Sequence, residues 1–239
     1  MTEAQYIPER ALVIVAHSDD IEFGIAGTVG VWTDAGAQVT YCIVTDSSAG
    51  SNEVDANPQE LIEIRRAEQI KAAQIMGVTD VRFLGYADGT LQPSLELRRE
   101  LTALVREVRP QAVITMDPTT VFAMDDRYIN HPDHRAAGEA ALYAVFPSAE
   151  TRPIFPELLD QGCEPHKVDR LYLVLSGQPT VCMDVSTTHE RKLAALRTHQ
   201  SQVGEDAVEM VQKWDAENGE KISVAYAETF RLIRLNEDE

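Results

Sequence analysis

The stretch Ala11-Leu12-Val13-Ile14-Val15-Ala16-His17-Ser18-Asp19-Asp20 opens with six apolar residues and closes on an imidazole, a hydroxyl and two carboxylates. A short, continuous apolar run rich in β-branched side chains predicts a strand over Ala11 to Ala16 that is buried on both faces, as in a parallel sheet. Its polar end then falls at the carboxyl edge of the sheet, where open α/β folds bind their ligands.

Outward from this strand the same rhythm repeats. Strands are predicted over Gln38 to Val44, Asp80 to Leu84 and Ala112 to Met116, with helices between them over Phe23 to Ala35, Pro58 to Met76 and Ser94 to Val108. Gly36 and Gly77 stand where a helix ends on a left-handed residue, and Pro110 stands where a helix cannot continue. Strands alternating with helical stretches specify an α/β fold: a three-layer, Rossmann-like sheet, mostly parallel. After Met116 a polar, turn-rich segment runs to Asn130, and a helical pattern resumes over His134 to Tyr143. The stretch Phe146 to Pro165 holds Pro147, Pro153, Pro156, Gly162 and Pro165, and reads either as a surface excursion or as a functional wall or subunit contact. Strands return over Arg170 to Ser176 and Thr180 to Val185, followed by a helix over Thr187 to Gln200. Ala207 to Leu235 mixes helix and strand signals, so the C-terminal region is elaborated and the last residues fray. The chain reads as one domain over 1–239.

Composition bounds the function. The 239 residues carry 21 Lys and Arg against 39 Asp and Glu, a net charge of −18, which repels phosphate backbones and argues against nucleic acid or an anionic membrane as partner. Cys42, Cys163 and Cys182 are odd in number and scattered, the usage of a reducing compartment without a disulfide framework. The first residues, Met1-Thr2-Glu3-Ala4-Gln5, have neither a basic nor an apolar leader segment, and no apolar stretch reaches the roughly 20 residues of a membrane helix. A cytoplasmic location is expected.

A second cluster, His131-Pro132-Asp133-His134, follows the polar segment after Met116. Alone, an Asp-Asp pair at a strand end reads as a turn or helix cap. Two clusters at compatible strand ends instead supply a ligand set for a catalytic metal, which takes three protein ligands and leaves a place for water. His17 and Asp20 can close on an ion with one imidazole of the second cluster, while the other imidazole aims at a developing oxyanion. Of the adjacent aspartates one can bind metal and the other face the substrate, and Asp133 can hold an imidazole through its second nitrogen.

These residues carry a family resemblance. Ala16 to Thr28 resembles the AHPDDxExxxGGT signature, and His131 to Arg135 the HPDHR motif, of the LmbE-like, or PIG-L, family of zinc-dependent N-acetylglucosaminyl deacetylases. Arg65-Arg66-Ala67-Glu68 with Met76-Gly77-Val78, Phe83 to Leu91, and Lys192 with His199 to Gln202 follow the family pattern in order, so the resemblance spans nearly the whole chain. It implies that His17, Asp20 and His134 bind Zn²⁺, that Asp19 is the general base, that His131 stabilises the oxyanion or donates a proton, and that Asp133 supports it. It also places Arg65 and Asp88 near the sugar.

The implied reaction removes acetyl from an N-acetylglucosamine-containing small molecule by means of a zinc-activated water. Two His and one carboxylate also suit Fe²⁺. A homo-oligomer is expected, with an N-acetylated sugar as the partner and no nucleic acid or membrane. Two rival readings stand beside this one: an amidase acting on a non-sugar or conjugated amide, and a non-catalytic metal- or ligand-binding module. The chain departs from the signature at Ser18, which replaces Pro and adds a backbone donor, and at Ala26, which replaces Gly and requires a negative φ.

Other residues have plainer readings. His166 and His189 read as structural, and His199 as helical with the site within reach. Asp125 and Asp126 read as turn caps, Tyr128 as an oxyanion donor or a packing residue, and Trp32 and Trp214 as core or interface.

Overall fold

The structure is a computed structural model that describes residues 6–123 and 127–236; Asp125 and Asp126 lie outside the described residues. In chain order the elements are β1 (Arg10–Val15), α1 (Asp20–Gly24), α2 (Ala26–Asp34), β2 (Gln38–Thr45), α3 (Pro58–Ile75), β3 (Asp80–Tyr86), α4 (Leu95–Val108), β4 (Ala112–Met116) and the short β5 (Phe122–Ala123) and β6 (Tyr128–Ile129). They continue with α5 (Pro132–Tyr143), β7 (Arg170–Val174), β8 (Val181–Asp184), α6 (His189–Leu196), α7 (Glu205–Glu220) and β9 (Ala227–Arg234).

Seven strands form one sheet in the order β3-β2-β1-β4-β7-β9-β8. The neighbours from β3 through β7 are parallel, and β9 runs antiparallel to both β7 and β8. The α/β reading therefore holds, and the elaboration at the C-terminal end is the β7-β9-β8 edge with α6 and α7. Strand order reverses between β1 and β4, so the loops leaving these two neighbours part company at a switch point, the position where such sheets form a crevice.

Because side chains alternate across a strand, β1 feeds two cores. Ala11, Val13 and Val15 join Ala26, Val29 and Trp32 of α2 and Ala72, Ala73 and Met76 on one face. Leu12, Ile14 and Ala16 join Leu97, Leu101 and Val105 of α4 and Ala136, Ala137 and Ala140 of α5 on the other. Trp32 is fully buried and packs edge-on against Tyr172, a core residue as expected. Gly36 and Gly77 take φ values of +92° and +81° just past their helices, the left-handed exits anticipated for them. Ser94 caps α4 by accepting from the Leu97 amide at 3.1 Å.

One predicted helix is two. The chain from Phe23 to Ala35 breaks at Ile25, whose φ and ψ are −133° and −32°, and α2 restarts with its first amides capped from a distance. Glu228 of β9 accepts from Gly27 N at 2.9 Å and Thr28 N at 2.8 Å, where a carboxylate answers both the orphan donors and the positive end of the helix. Ala26, in the first turn of this helix, has no positive φ. A Cβ on Gly27 would lie 2.8 Å from Val185 Cβ and 3.0 Å from Glu228 Oε1; the glycine is what lets β9 approach.

The Pro-rich stretch resolves into a kinked helical extension of α5 at Ala144–Ala149, broken at Phe146 with φ −136° and ψ 126°, and a 3₁₀-helix at Pro156–Gln161. Buried Arg106 of α4 holds it by donating to the carbonyls of Ser148, Ala149, Thr151 and Ile154. His166 sits there too, its Nε2 at 2.7 Å from Pro110 O.

Gly138 places α5 directly on the end of β4: a Cβ there would sit 2.3 Å from Met116 O. Alanine is ordinarily the better helix former by about 1 kcal/mol, yet Gly138→Ala is expected to destabilise by about 1–3 kcal/mol through overpacking. Denaturant unfolding checks the sign.

Candidate active site

The polar end of β1 makes a tight turn. Asp19 occupies the residue before α1 with φ 93° and ψ −28°, and its side chain makes no capping bond. Aspartate tolerates this left-handed region better than most side chains, at a cost of about 1–3 kcal/mol. Neighbours hold it there: Gln69 of α3 accepts from the Asp19 amide at 2.9 Å, and Arg65 Nη2 donates to Asp19 Oδ2 at 3.1 Å and to Ser18 O at 2.6 Å. Ser18 uses the amide that a proline would lack, donating to Ser47 Oγ at 3.0 Å. Asp20 folds back to accept from the His17 amide at 2.7 Å. The capping reading of the Asp-Asp pair thus fails at the side chain: Asp19 turns to Arg65 and Asp20 turns inward.

The second cluster arrives on the first turn of α5, with Pro132 at the first helical position, where its fixed φ fits and its missing N–H costs nothing. His131 caps this helix, Nδ1 accepting from the Asp133 amide at 3.2 Å. That bond places the ring proton on Nε2, so neutral His131 keeps a donor; burial, followed by the charge of His17, lowers its pKa. His134 Nε2 lies 3.1 Å from Asp20 Oδ1, and its Nδ1 lies 3.0 Å from Asn130 Oδ1. Asn130 in turn donates to Thr120 O, so an amide sets the His134 ring.

Asp133 is fully buried and supports the neighbouring motif through a route that spacing does not reveal. Its carboxylate accepts from Gly89 N and Leu91 N at 2.6 and 3.0 Å and stands 3.4 Å from His17 Nε2; only its backbone serves His131. Asp88 accepts from the Ala49 amide at 2.9 Å and lies 3.0 Å from His17 Nε2.

Four carboxylates, Asp19, Asp20, Asp88 and Asp133, therefore converge with one guanidinium, Arg65. Burial alone depresses the His17 imidazole, but the bonded carboxylates of Asp133, Asp20 and Asp88 push its pKa up to about 12. Such surroundings call for further positive charge. Burial raises Asp20 and Asp88, yet His134 and His17 hold Asp20 well below the usual carboxylate range, and His17 with the Ala49 amide brings Asp88 to about 2. Burial lifts Asp19 to about 6, with Asp20 adding to the rise and Arg65 opposing it.

His17, Asp20 and His134 present one donor atom each within 4.8 Å of one another. His17, Asp88 and His131 meet the same distance criterion and share His17. The first set matches the chemistry of a divalent cation site better. His17 faces Asp20 with Nδ1 while Nε2 faces Asp88 and Asp133, and an imidazole that ligates through one nitrogen ordinarily gives its other N–H to a carboxylate.

A buried polar layer that motif reading missed lies behind this turn. Gln69 Nε2 donates to Glu22 at 3.2 Å, and His199 Nε2 stands 3.0 Å from Glu22 Oε2, with Glu22, Gln69 and His199 all inaccessible to solvent. His199 thus backs Glu22 and does not line the cavity. Burial pulls its pKa down, but the bond and charge of Glu22, then the charges of Asp19 and Glu68, leave it raised. A cationic His199 therefore contributes stability that is complete below the roughly 6.5 of a free imidazole and is lost as pH climbs through the raised folded value. The melting-temperature advantage of the native chain over His199→Gln should be largest at about pH 6 and shrink into the alkaline range.

The cluster opens into a cavity of about 630 Å³ at the switch point, lined among others by His17, Asp19, Asp20, Arg65, Asp88, His131 and His134. Tyr128 and Trp214 line it as well, and Trp214 also packs against the buried cluster of Leu193, Leu196, Val208 and Val211, so the core reading holds for one side of its ring and the cavity takes the other. The sequence-predicted residues are together here, with Asp133 just beneath. No helix among the described residues is long and apolar enough to cross a membrane.

Comparison with known proteins agrees with this arrangement. The family described as PIG-L, GlcNAc-PI de-N-acetylase, matches residues 12–145, more than half of the chain. The diacetylchitobiose deacetylase of Thermococcus kodakarensis is 32% identical over 206 residues, 84% of this chain and 73% of that protein. A probable N-acetyl-α-D-glucosaminyl L-malate deacetylase 2 of Bacillus cereus is 32% identical over 81% of this chain and 83% of its own. The solved N,N′-diacetylchitobiose deacetylase of Pyrococcus horikoshii superposes with a TM-score of 0.87 at 31% identity, covering 95% of this chain and 84% of that one.

Proposed function

The chain belongs to the PIG-L family, and from that premise we propose that it hydrolyses the acetamide of an N-acetylglucosamine-containing small molecule, yielding acetate and a free amine. The observation that carries this reading is the meeting of the His17, Asp20 and His134 donors with a separately held Asp19 in one cavity. The donor set fits zinc, and iron(II) as well. His17, Asp20 and His134 would hold the ion, which when bound would supply Lewis acidity to a water and an amide carbonyl.

The protein's own groups do the rest. Asp19, lifted to about 6 by burial, is a carboxylate at neutral pH and takes the proton of the attacking water. Arg65 keeps that carboxylate aimed and lowers the cost of its charge. His131 offers Nε2–H to the oxygen on which negative charge develops. As the C–N bond breaks, the proton on Asp19 passes to the departing amine nitrogen. Asp133 and Asp88 fix the His17 ring, and Asp88 with Arg65 stands at the cavity wall where a polyol binds.

Acetate release from a panel of N-acetyl sugars, with zinc content measured, tests the reading. Turnover should appear with N-acetylglucosamine conjugates and vanish on chelation. His134→Ala should lose both ion and turnover. Hydrolysis of some other amide, with every N-acetyl sugar inert, overturns the sugar assignment.

A further inference from the structure

Part of the cavity lining is an apolar arm that the acetamide chemistry does not use. Its walls are Phe23 of α1, Val174 and Leu175 at the end of β7, and Met210 and Trp214 of α7. Phe23 and Trp214 pack against the buried cluster of Leu193, Leu196, Val208 and Val211, so this apolar wall is anchored to core. Leu175 and Met210, 39% and 37% exposed, carry it out to solvent. The whole cavity, about 630 Å³, lies well within the roughly 300–1,000 Å³ that accommodates a drug-sized ligand, which leaves room beside a sugar for a second group.

Charge narrows that group. Among the described residues Arg65 is the one lysine or arginine lining the cavity, the three histidines standing with the carboxylates at the ion-binding end, and Arg65 is engaged by Asp19 and by the Ser18 and Ser47 carbonyls. Asp215 and Glu228, also at the wall, are buried and bonded to Lys192, with Glu228 also bonded to the α2 amides. Beside the apolar wall an anionic group would find no free lysine or arginine, and the chain's net charge of −18 opposes it. A phenyl ring or alkyl chain would find an aromatic face, a thioether and two aliphatic side chains.

From this we infer that the substrate is an N-acetylglucosaminide with an uncharged apolar aglycone, aryl or medium-length alkyl, and that Trp214 and Met210 determine that specificity. The inference rests on the deacetylase reading for its chemistry and on the arm alone for the aglycone.

The test measures acetate release by the metal-loaded protein from methyl, phenyl, hexyl and malyl N-acetylglucosaminides and from N,N′-diacetylchitobiose. The phenyl and hexyl compounds should exceed the methyl compound in kcat/KM by at least about tenfold, with the malyl compound slowest. Trp214→Ala and the surface change Met210→Glu should each bring the phenyl-to-methyl ratio toward one. A malyl or chitobiose substrate faster than phenyl and hexyl, or a ratio that neither variant moves, overturns the inference.

A second measurement separates it from the deacetylase reading. Quenching of tryptophan fluorescence by 4-nitrophenyl β-glucoside, which has no amide to cleave, should occur and should be competed more strongly by phenyl than by methyl β-glucoside. Inert acetamides with such binding overturn the reaction but keep the arm; phenyl and methyl glucosides competing equally overturn the arm whatever the reaction.

Discussion

Asp19→Asn is expected to lower kcat by roughly 10²–10⁴-fold, the usual worth of a positioned general base, while the protein keeps its bound metal. The substitution is nearly isosteric and leaves His17, Asp20 and His134 as they are. The amide of residue 19 still donates to Gln69, so the left-handed turn persists. What disappears is a proton acceptor, in a group that burial has brought to about 6. Arg65, 5% exposed, loses the charge on its partner and keeps its two carbonyl acceptors. Steady-state kinetics beside metal analysis is decisive: a metal-loaded Asp19→Asn enzyme of native activity removes Asp19 from the mechanism, and loss of metal transfers it to the ligand set.

The largest expected effect on stability comes from behind the cavity wall. Lys192 is fully buried, its Nζ at 2.6 Å from Asp215 Oδ2 and 2.8 Å from Glu228 Oε1. Burial alone would lower its pKa, but Glu228 and then Asp215 raise it, so the ammonium persists and joins α6 to α7 and β9. Lys192→Met fills similar space and removes the charge, leaving buried Asp215 with only His189 Nδ1 at 3.2 Å and buried Glu228 with only the α2 amides. The cost should be about 3–5 kcal/mol, a large share of the roughly 5–15 kcal/mol that holds a domain together. In the variant the stranded carboxylates bind protons more readily, so its deficit should shrink as pH falls. Urea unfolding at neutral and mildly acid pH measures both; an unchanged midpoint at neutral pH rejects the role.

Lys192 shows why the support of the site is harder to read than the site. It was visible as part of a family pattern, but its partners lie 23 and 36 positions away along the chain, and no local rule connects them. Glu22 and His199 are 177 positions apart, and the break at Ile25 depends on Glu228, some 200 residues downstream. Periodicity alone therefore ran one helix through Phe23 to Ala35 and carried α6 on to Gln200, although it ends at Leu196.

By itself, the sequence determined the alternation of strands and helices, because burial on two faces writes continuous apolar runs and helix ends demand glycine or proline at particular places. It also determined which residues meet at the site, since His17, Asp19 and Asp20 follow one strand, His131 and His134 follow its neighbour's loop, and parallel strands at a switch point present those ends together. Only the tertiary structure decided what each side chain touches: that Asp133 serves His17 and the 89–91 loop, that Arg65 holds Asp19, and that Trp214 walls the cavity. Hydrogen-bond partners and packing depend on separations of a few ångströms, and residues far apart in the chain acquire those separations only when the layers close.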